Sequence, residues 1–188
     1  SVILYGSAAA GDHAGKRSDY NVLVVTDRLG QPELHAMART AAAWARNGNP
    51  APLLFTMDRL RQAADVFPIE LMDIRDCHKV LYGQNVVSEI AVSADNLRLE
   101  IEHELRGKLI HLREQYLRSG GKPRAVTEVM IRSLGTFLVL FRAALRLFEE
   151  QVPQRKLDAL DALGKHITFD REIFAILAAA KEGKRSVK

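Results

Sequence analysis

The stretch VILYGSAAAGDHAGKRSDYNVLVV, at residues 2–25, places a Gly-Ser pair directly after one apolar run and an acidic-polar pair directly before another. Short runs of β-branched and aliphatic residues bounded by Gly, Ser and Asp predict two β-strands. Because side chains two residues apart on a strand project from the same face, Asp19 and Asn21 are predicted to lie side by side. The stretch therefore predicts a polar site where the first strand ends and the second begins.

The basic end of the connecting loop contains the sequence GKRS, which matches only part of a P-loop. A P-loop needs Gly, four residues, Gly-Lys and then Ser or Thr, followed by a helix whose N-terminus faces the phosphates. Ala10 stands at the first Gly position, Arg17 stands at the Ser or Thr position, and a strand-like run follows. These departures exclude a P-loop. The dinucleotide-binding glycine pattern and the Gly-x-Ser-x-Gly turn of hydrolases are also absent.

The rest of the first half alternates short apolar runs with helix-like segments. An amphipathic helix is predicted over residues 32–48, which begin with a proline and end with a glycine, and a shorter helix over residues 57–65. Strands that alternate with helices indicate an α/β layer. The further runs predicted as strands are PLLFT at residues 52–56, PIELMDI at 68–74 and HKVLYG at 78–83.

After residue 93 the pattern changes to long helices. The first, with Ser93 or Asp95 as its cap, is predicted to stop at Gly120-Gly121, and the second is apolar around much of its circumference, which is typical of the central helix of a bundle. The sequence thus predicts an α+β protein, with a small mixed-sheet α/β domain at residues 1–92 and a helical bundle at 93–188. The later helices are predicted over residues 123–150, 156–163 and 170–181.

Composition and charge limit the classes of protein that the chain can belong to. Its 188 residues, 47% of them hydrophobic, can bury one core or two small ones. After residue 92 there are 18 Lys and Arg against 13 Asp and Glu, a positive field that suits phosphates or is simply a solvated face. No apolar run approaches the roughly 20 residues of a membrane span. With Cys77 as the only cysteine, we expect a cytoplasmic protein without an internal disulfide or a membrane partner.

The order of strand, Gly-Ser, spacer, Asp-x-Asn and strand resembles the signature of the DNA polymerase β-like nucleotidyltransferase superfamily. The resemblance covers residues 2–25 and, less closely, 67–83, whereas the second half is similar only in kind to the helical bundles that small prokaryotic members append. It implies a small mixed-sheet nucleotidyltransferase-like domain followed by an α-helical bundle. It also implies binding of a nucleoside triphosphate, ATP by preference, and transfer of its nucleoside monophosphate to a hydroxyl of a small-molecule, RNA or protein acceptor.

The same resemblance implies which residues contact the nucleotide. Gly6 and Ser7 would hold the β- and γ-phosphates. Lys16 and Arg17 would neutralise phosphate charge from the loop, and Asn21 would contribute from the second strand. Cations that could act across a cleft from the helical half are Arg106, Lys108 and Arg113.

The resemblance further implies a site for Mg²⁺ or Mn²⁺. Asp19, Asn21 and an acid on a later strand would hold the metal, with Asp73 as the first choice for that acid and Glu70 as the second. Asp19 and Asp73 are the predicted catalytic residues. Superfamily members carry a carboxylate where this chain has Asn21, and an amide oxygen is a weaker, uncharged ligand, so transfer would need another acid. The acids considered as substitutes are Asp12, Asp27 and Asp76.

Two other functions remain open. A relative that has lost the paired carboxylates could bind nucleotide without transferring it, as a regulatory or scaffolding module. An antitoxin-like protein could instead use the α/β domain to bind a helical partner, and a homodimer is also open. Each short pattern alone is common in structural turns, because Gly-Ser and Ser-Asp are ordinary turn residues.

Overall fold

The computed structural model describes residues 1–9, 19–148, 151–153 and 155–183. The loop residues Asp12, Lys16 and Arg17 lie outside these ranges, and so do the predictions made for them. Over the described residues the chain is α+β, with a four-stranded mixed sheet followed by a helical region. It divides into two compact units, Ser1–Asn96 and Leu97–Lys188.

The sheet of the first unit has the strand order β3-β2-β1-β4. Strand β1 pairs antiparallel with both β2 and β4, and β2 pairs parallel with β3. Tyr5, the last residue of β1, lies opposite Asn21 on one side and His78 on the other. The end of β1 is therefore next to the beginnings of two other strands. The strands are β1 Val2–Tyr5, β2 Asn21–Thr26, β3 Leu53–Thr56 and β4 His78–Tyr82.

One face of the sheet forms the core of the first unit. Ile3 and Leu23 on this face are fully buried, and they belong to the same core as the buried residues Leu60 and Ile74. Thr56 caps the helix that follows β3, because its Oγ1 accepts a hydrogen bond from the Arg59 backbone N–H at 3.4 Å. The helices of this unit are α1 Gln31–Arg46, α2 Met57–Ala63 and α3 Pro68–Asp76.

Residues 68–74 form the first part of helix α3 and not the predicted strand. Short apolar runs fit either element, and here Pro68 occupies the first helical position, where its missing N–H costs nothing. Leu71 and Ile74, three residues apart, are both buried, which is a helical and not a strand spacing. Asp73 therefore cannot share a strand face with its neighbours two residues away. The other predicted strands of this unit are confirmed.

The helical region begins at the predicted cap. The Ser93 Oγ accepts hydrogen bonds from the backbone N–H groups of Asp95 and Asn96, at 3.2 and 3.4 Å. The aromatic side chains of Phe141, Phe169 and Phe174 contact one another and pack against the bundle core. Among the described residues, no helix is both long and apolar enough to cross a membrane. The helices are α4 Ala94–Arg118, α5 Pro123–Leu145, α6 Lys156–Leu163 and α7 Arg171–Lys181.

Candidate functional site

The end of β1 turns sharply and exposes the Ser7 side chain. Gly6 has a φ of +76°, a left-handed conformation that favours glycine. A 3-10 turn follows, in which the Ala9 backbone N–H donates to the Gly6 carbonyl at 2.9 Å. The Gly6 N–H donates to the Cys77 carbonyl at 3.2 Å, and the Cys77 thiol donates to the Gly6 carbonyl at 3.5 Å. Backbone and thiol hydrogen bonds thus hold the turn against the residue that precedes β4.

Asn21 lies directly against this turn. It is the first residue of β2 and pairs with Tyr5, and a Cβ added to Gly6 would stand 3.4 Å from the Asn21 Nδ2 atom. We call Gly6, Ser7 and Asn21, the residues for which the sequence predicts nucleotide contacts, the phosphate corner. The antiparallel pairing of β1 with β2 therefore brings Asn21 against the Gly6-Ser7 turn.

Asp19 lies outside strand β2. It is exposed and precedes β2 by two residues, so strand alternation does not fix its direction, in contrast to the prediction. The next residue is held in place because the Tyr20 backbone N–H donates to Asn49 Oδ1 at 3.0 Å. Asp19 is therefore close to the phosphate corner in the sequence, but the structure does not place it on a strand face.

The two acids proposed for the later strand both lie on α3. Glu70 is exposed, and Asp73, one helical turn later, is partly buried. Burial raises the pKa of Tyr5 above its ordinary value, and the negative charge of Glu70 raises it further. The sequence favours Asp73 because it lies between two hydrophobic residues and is followed by Arg75, and the choice between the two acids stays a prediction.

The side chains described do not fit a two-metal site. Such a site brings several carboxylates around two cations, and over residues 1–9, 19–148, 151–153 and 155–183 no three Asp, Glu, His or Cys groups come together as a metal site. Asp19 and Asn21 offer one carboxylate and one amide oxygen. Asp27 follows the far end of β2, about 20 Å along the strand from Asn21, so it cannot replace the missing carboxylate. Asp76 contacts Arg75, with 3.9 Å between Oδ1 and Nε.

The cations predicted to act from the helical half are on α4. Arg106 donates two hydrogen bonds to Glu102 Oε1, at 3.0 and 2.6 Å. Lys108 Nζ lies 3.4 Å from Glu104 Oε2. Arg113 is exposed on the same helix. Arg106 and Lys108 therefore already have carboxylate partners one turn earlier, and the prediction that they bind phosphate stays a prediction.

A second concave feature lies on the other face of the sheet. An apolar groove of about 300 Å³ separates α1 from β2 and its neighbours. Its walls include Val22, Val24, Met37 and Trp44. The sequence predicted that the apolar face of α1 packs as core, but no residue of this helix is buried. The looser packing of α1 depends on the distance between this helix and the sheet, which no local sequence pattern encodes.

Comparisons of the chain with protein-family models, with curated proteins and with solved structures give no match. Support for the candidate site therefore comes only from the residues of this chain and their geometry. Of the residues singled out in the sequence, the phosphate corner brings Gly6, Ser7 and Asn21 together. Cys77, which the sequence did not assign to the site, holds the turn of that corner, and its position could be found only from the β1–β4 pairing.

Proposed function

We propose that the first unit is a nucleotidyltransferase-like module that binds a nucleoside triphosphate, ATP by preference, at the phosphate corner and transfers its nucleoside monophosphate poorly or not at all. One observation carries the proposal: the Asn21 side-chain amide lies against Gly6, where superfamily members place a carboxylate. The lack of a side chain on Gly6 lets a phosphate approach the backbone closely. The exposed Ser7 hydroxyl adds a hydrogen-bond donor beside it.

The replacement of a carboxylate by an amide changes how a phosphate can bind. A carboxylate at this position repels phosphate oxygens unless a cation lies between them. The Asn21 amide carries no charge, and its N–H₂ group can donate directly to a phosphate oxygen. Binding to the protein should therefore depend little on Mg²⁺, whereas the paired carboxylates that assemble two metals for transfer are missing. Any remaining transfer to a small-molecule, RNA or protein hydroxyl would need a carboxylate from elsewhere in the chain in place of the Asn21 amide.

The Asn21→Asp variant tests this proposal most simply. We expect it to bind a non-hydrolysable ATP analogue at least tenfold more weakly in EDTA, because a hydrogen bond to a charged group contributes about 1.5–3 kcal/mol and is replaced by repulsion. Added Mg²⁺ should restore part of the affinity of Asn21→Asp and change that of the wild type little. Isothermal titration calorimetry measures both affinities.

A matched variant separates this effect from a general change of charge. Asn85 is exposed in the same unit and distant from Gly6 in the sequence, so Asn85→Asp adds the same charge elsewhere. It should bind the analogue as the wild type does. Equal affinity of the wild type and Asn21→Asp in EDTA, or no binding by either, would contradict the proposal. Pyrophosphate release by the wild type with Mg²⁺ and ATP, at a rate that Asn21→Asp does not increase, would show that the natural residue supports transfer.

A further inference from the structure

Helix α4 carries a line of exposed aliphatic side chains. Leu99, Ile110 and Leu117 are 64%, 57% and 75% exposed. At about 100° per residue, Leu117 follows Leu99 by five whole turns, and Ile110 lies within about 20° of the same line. The buried residues Leu97 and Ile101 point about 160° away from it. We call Leu99, Ile110 and Leu117 the outer line of α4.

The outer line lies on a helix face that also carries Arg106, whose exposed side chain is within about 20° of the line on its other side. Single exposed apolar residues are ordinary on protein surfaces, but a stripe on one helix face usually packs against something. The ends of this line are about 27 Å apart along the helix axis, so the line extends over about five helical turns. The apolar residues that α4 contributes to its own unit, such as Leu112, are on a different face and border a groove with Phe137 and Phe174.

The charges on α4 are divided between its two halves. Residues 94–105 contain four Asp and Glu and one Arg, whereas residues 106–118 contain four Lys and Arg and one Glu. This order favours the helix dipole. It also makes the helix complementary to an inverted copy of itself, because an antiparallel pair places each acidic half beside a basic half. In a parallel pair each half of the helix would lie beside the same half of the other copy, so like charges would face each other along the whole length.

We propose that α4 forms the interface of an antiparallel homodimer, in which the outer line of one copy packs against the outer line of the second. A two-fold axis makes the same surface serve both copies, so residue contacts are reciprocal. The midpoint between Leu99 and Leu117 is residue 108, where the axis passes. Leu99 of each copy then lies beside Leu117 of the other, and the two Ile110 side chains meet close to the axis. This interface does not depend on nucleotide binding.

Charge-matched substitutions of Leu117 test both the interface and its direction. The residue faces the acidic half of the second copy, so Leu117→Glu should weaken dimerisation at least tenfold and more than Leu117→Lys does. Sedimentation velocity of the full chain, from about 1 to 100 μM, a range that covers typical weak dimers, measures the dissociation constant. Val66→Glu, at a residue that is 62% exposed outside α4, is the control and should leave the constant unchanged.

Three results would overturn the proposal. The first is a wild-type chain that is monomeric throughout the concentration range. The second is a dimer that Leu117→Glu weakens no more than Val66→Glu does. The third is a greater loss with Leu117→Lys than with Leu117→Glu, which would indicate a parallel pair. Since a new charge near a helix end can also fray it, Ile110→Ser repeats the test in mid-helix without adding charge and should also weaken the dimer.

Disulfide crosslinking defines the register of the pair. In a Cys77→Ser background, Ile110→Cys should crosslink to its own copy because the residue lies near the axis. Leu99→Cys alone and Leu117→Cys alone should not, because in an antiparallel pair each is about 27 Å from its equivalent. An equal mixture of the two proteins should crosslink after subunit exchange. Crosslinking of all three single variants alone, or of none in any combination, would contradict the antiparallel arrangement.

Discussion

Replacing Gly6 with alanine should destabilise the first unit through the backbone alone. Gly6 has a φ of +76°, and this conformation costs a residue with a Cβ about 1–2 kcal/mol. The new methyl group would stand 3.4 Å from Asn21 Nδ2, an ordinary van der Waals distance, so steric overlap adds little. We therefore expect Gly6→Ala to lower the free energy of unfolding of the Ser1–Asn96 unit by about 1–2 kcal/mol, measured by urea denaturation followed by circular dichroism.

Two other glycines provide the controls for this substitution. Gly48 has a φ of +85° and open space where a methyl group would stand, so Gly48→Ala should cost a similar amount. Gly107 lies within α4, also with open space, and Gly107→Ala should stabilise that helix by about 1 kcal/mol. A Gly6→Ala protein as stable as the wild type would refute the constrained turn. A loss above about 4 kcal/mol would show that the methyl group overlaps other atoms.

Two further predictions concern the same unit. Burial, and then the charge of Glu70, raise the pKa of Tyr5, so its contribution to stability is present below about pH 10 and is lost as the pH rises through the folded-state pKa. The Tyr5→Phe protein should therefore lose less stability than the wild type in urea denaturation between about pH 9 and 11, and parallel losses would disprove this linkage. The Thr56 hydroxyl caps α2, and Thr56→Ala should lower the free energy of unfolding by about 1 kcal/mol in the same assay. Thr56→Ser should retain most of that stability, and equal losses in both variants would mean that the cap contributes nothing.

The helices of the second half could be predicted largely from local chemistry, except that α5 ends at Leu145 and not at the predicted residue 150. Ser93 before an apolar periodic segment and Gly120-Gly121 after it mark the ends of α4, and both are found where local rules place them. The segment at residues 68–74 shows the limit of these rules. It is a short, mainly apolar run that fits either element, but Pro68 and the packing of Leu71 and Ile74 against the sheet favour a helix. Burial against the sheet decides between helix and strand here, and the sequence of a short run does not specify that burial.

The candidate site could likewise be predicted only in part. The proximity of Gly6 and Asn21 follows from antiparallel pairing of two strands that the sequence predicts well. The effect of the Glu70 charge on the pKa of Tyr5 depends on where α3 packs along the sheet, which no spacing in the sequence specifies.

The central claim is that the phosphate corner binds a triphosphate without a metal bound by the protein. Two-dimensional ¹H–¹⁵N NMR of the wild type, titrated with a non-hydrolysable ATP analogue in EDTA, tests it residue by residue. The signals of the Ser7 backbone amide and the Asn21 side-chain amide should shift in a saturable manner, while the side-chain amide of Asn85 should not. Saturable shifts elsewhere with no change at Ser7 and Asn21, or no shifts at all, would contradict the claim.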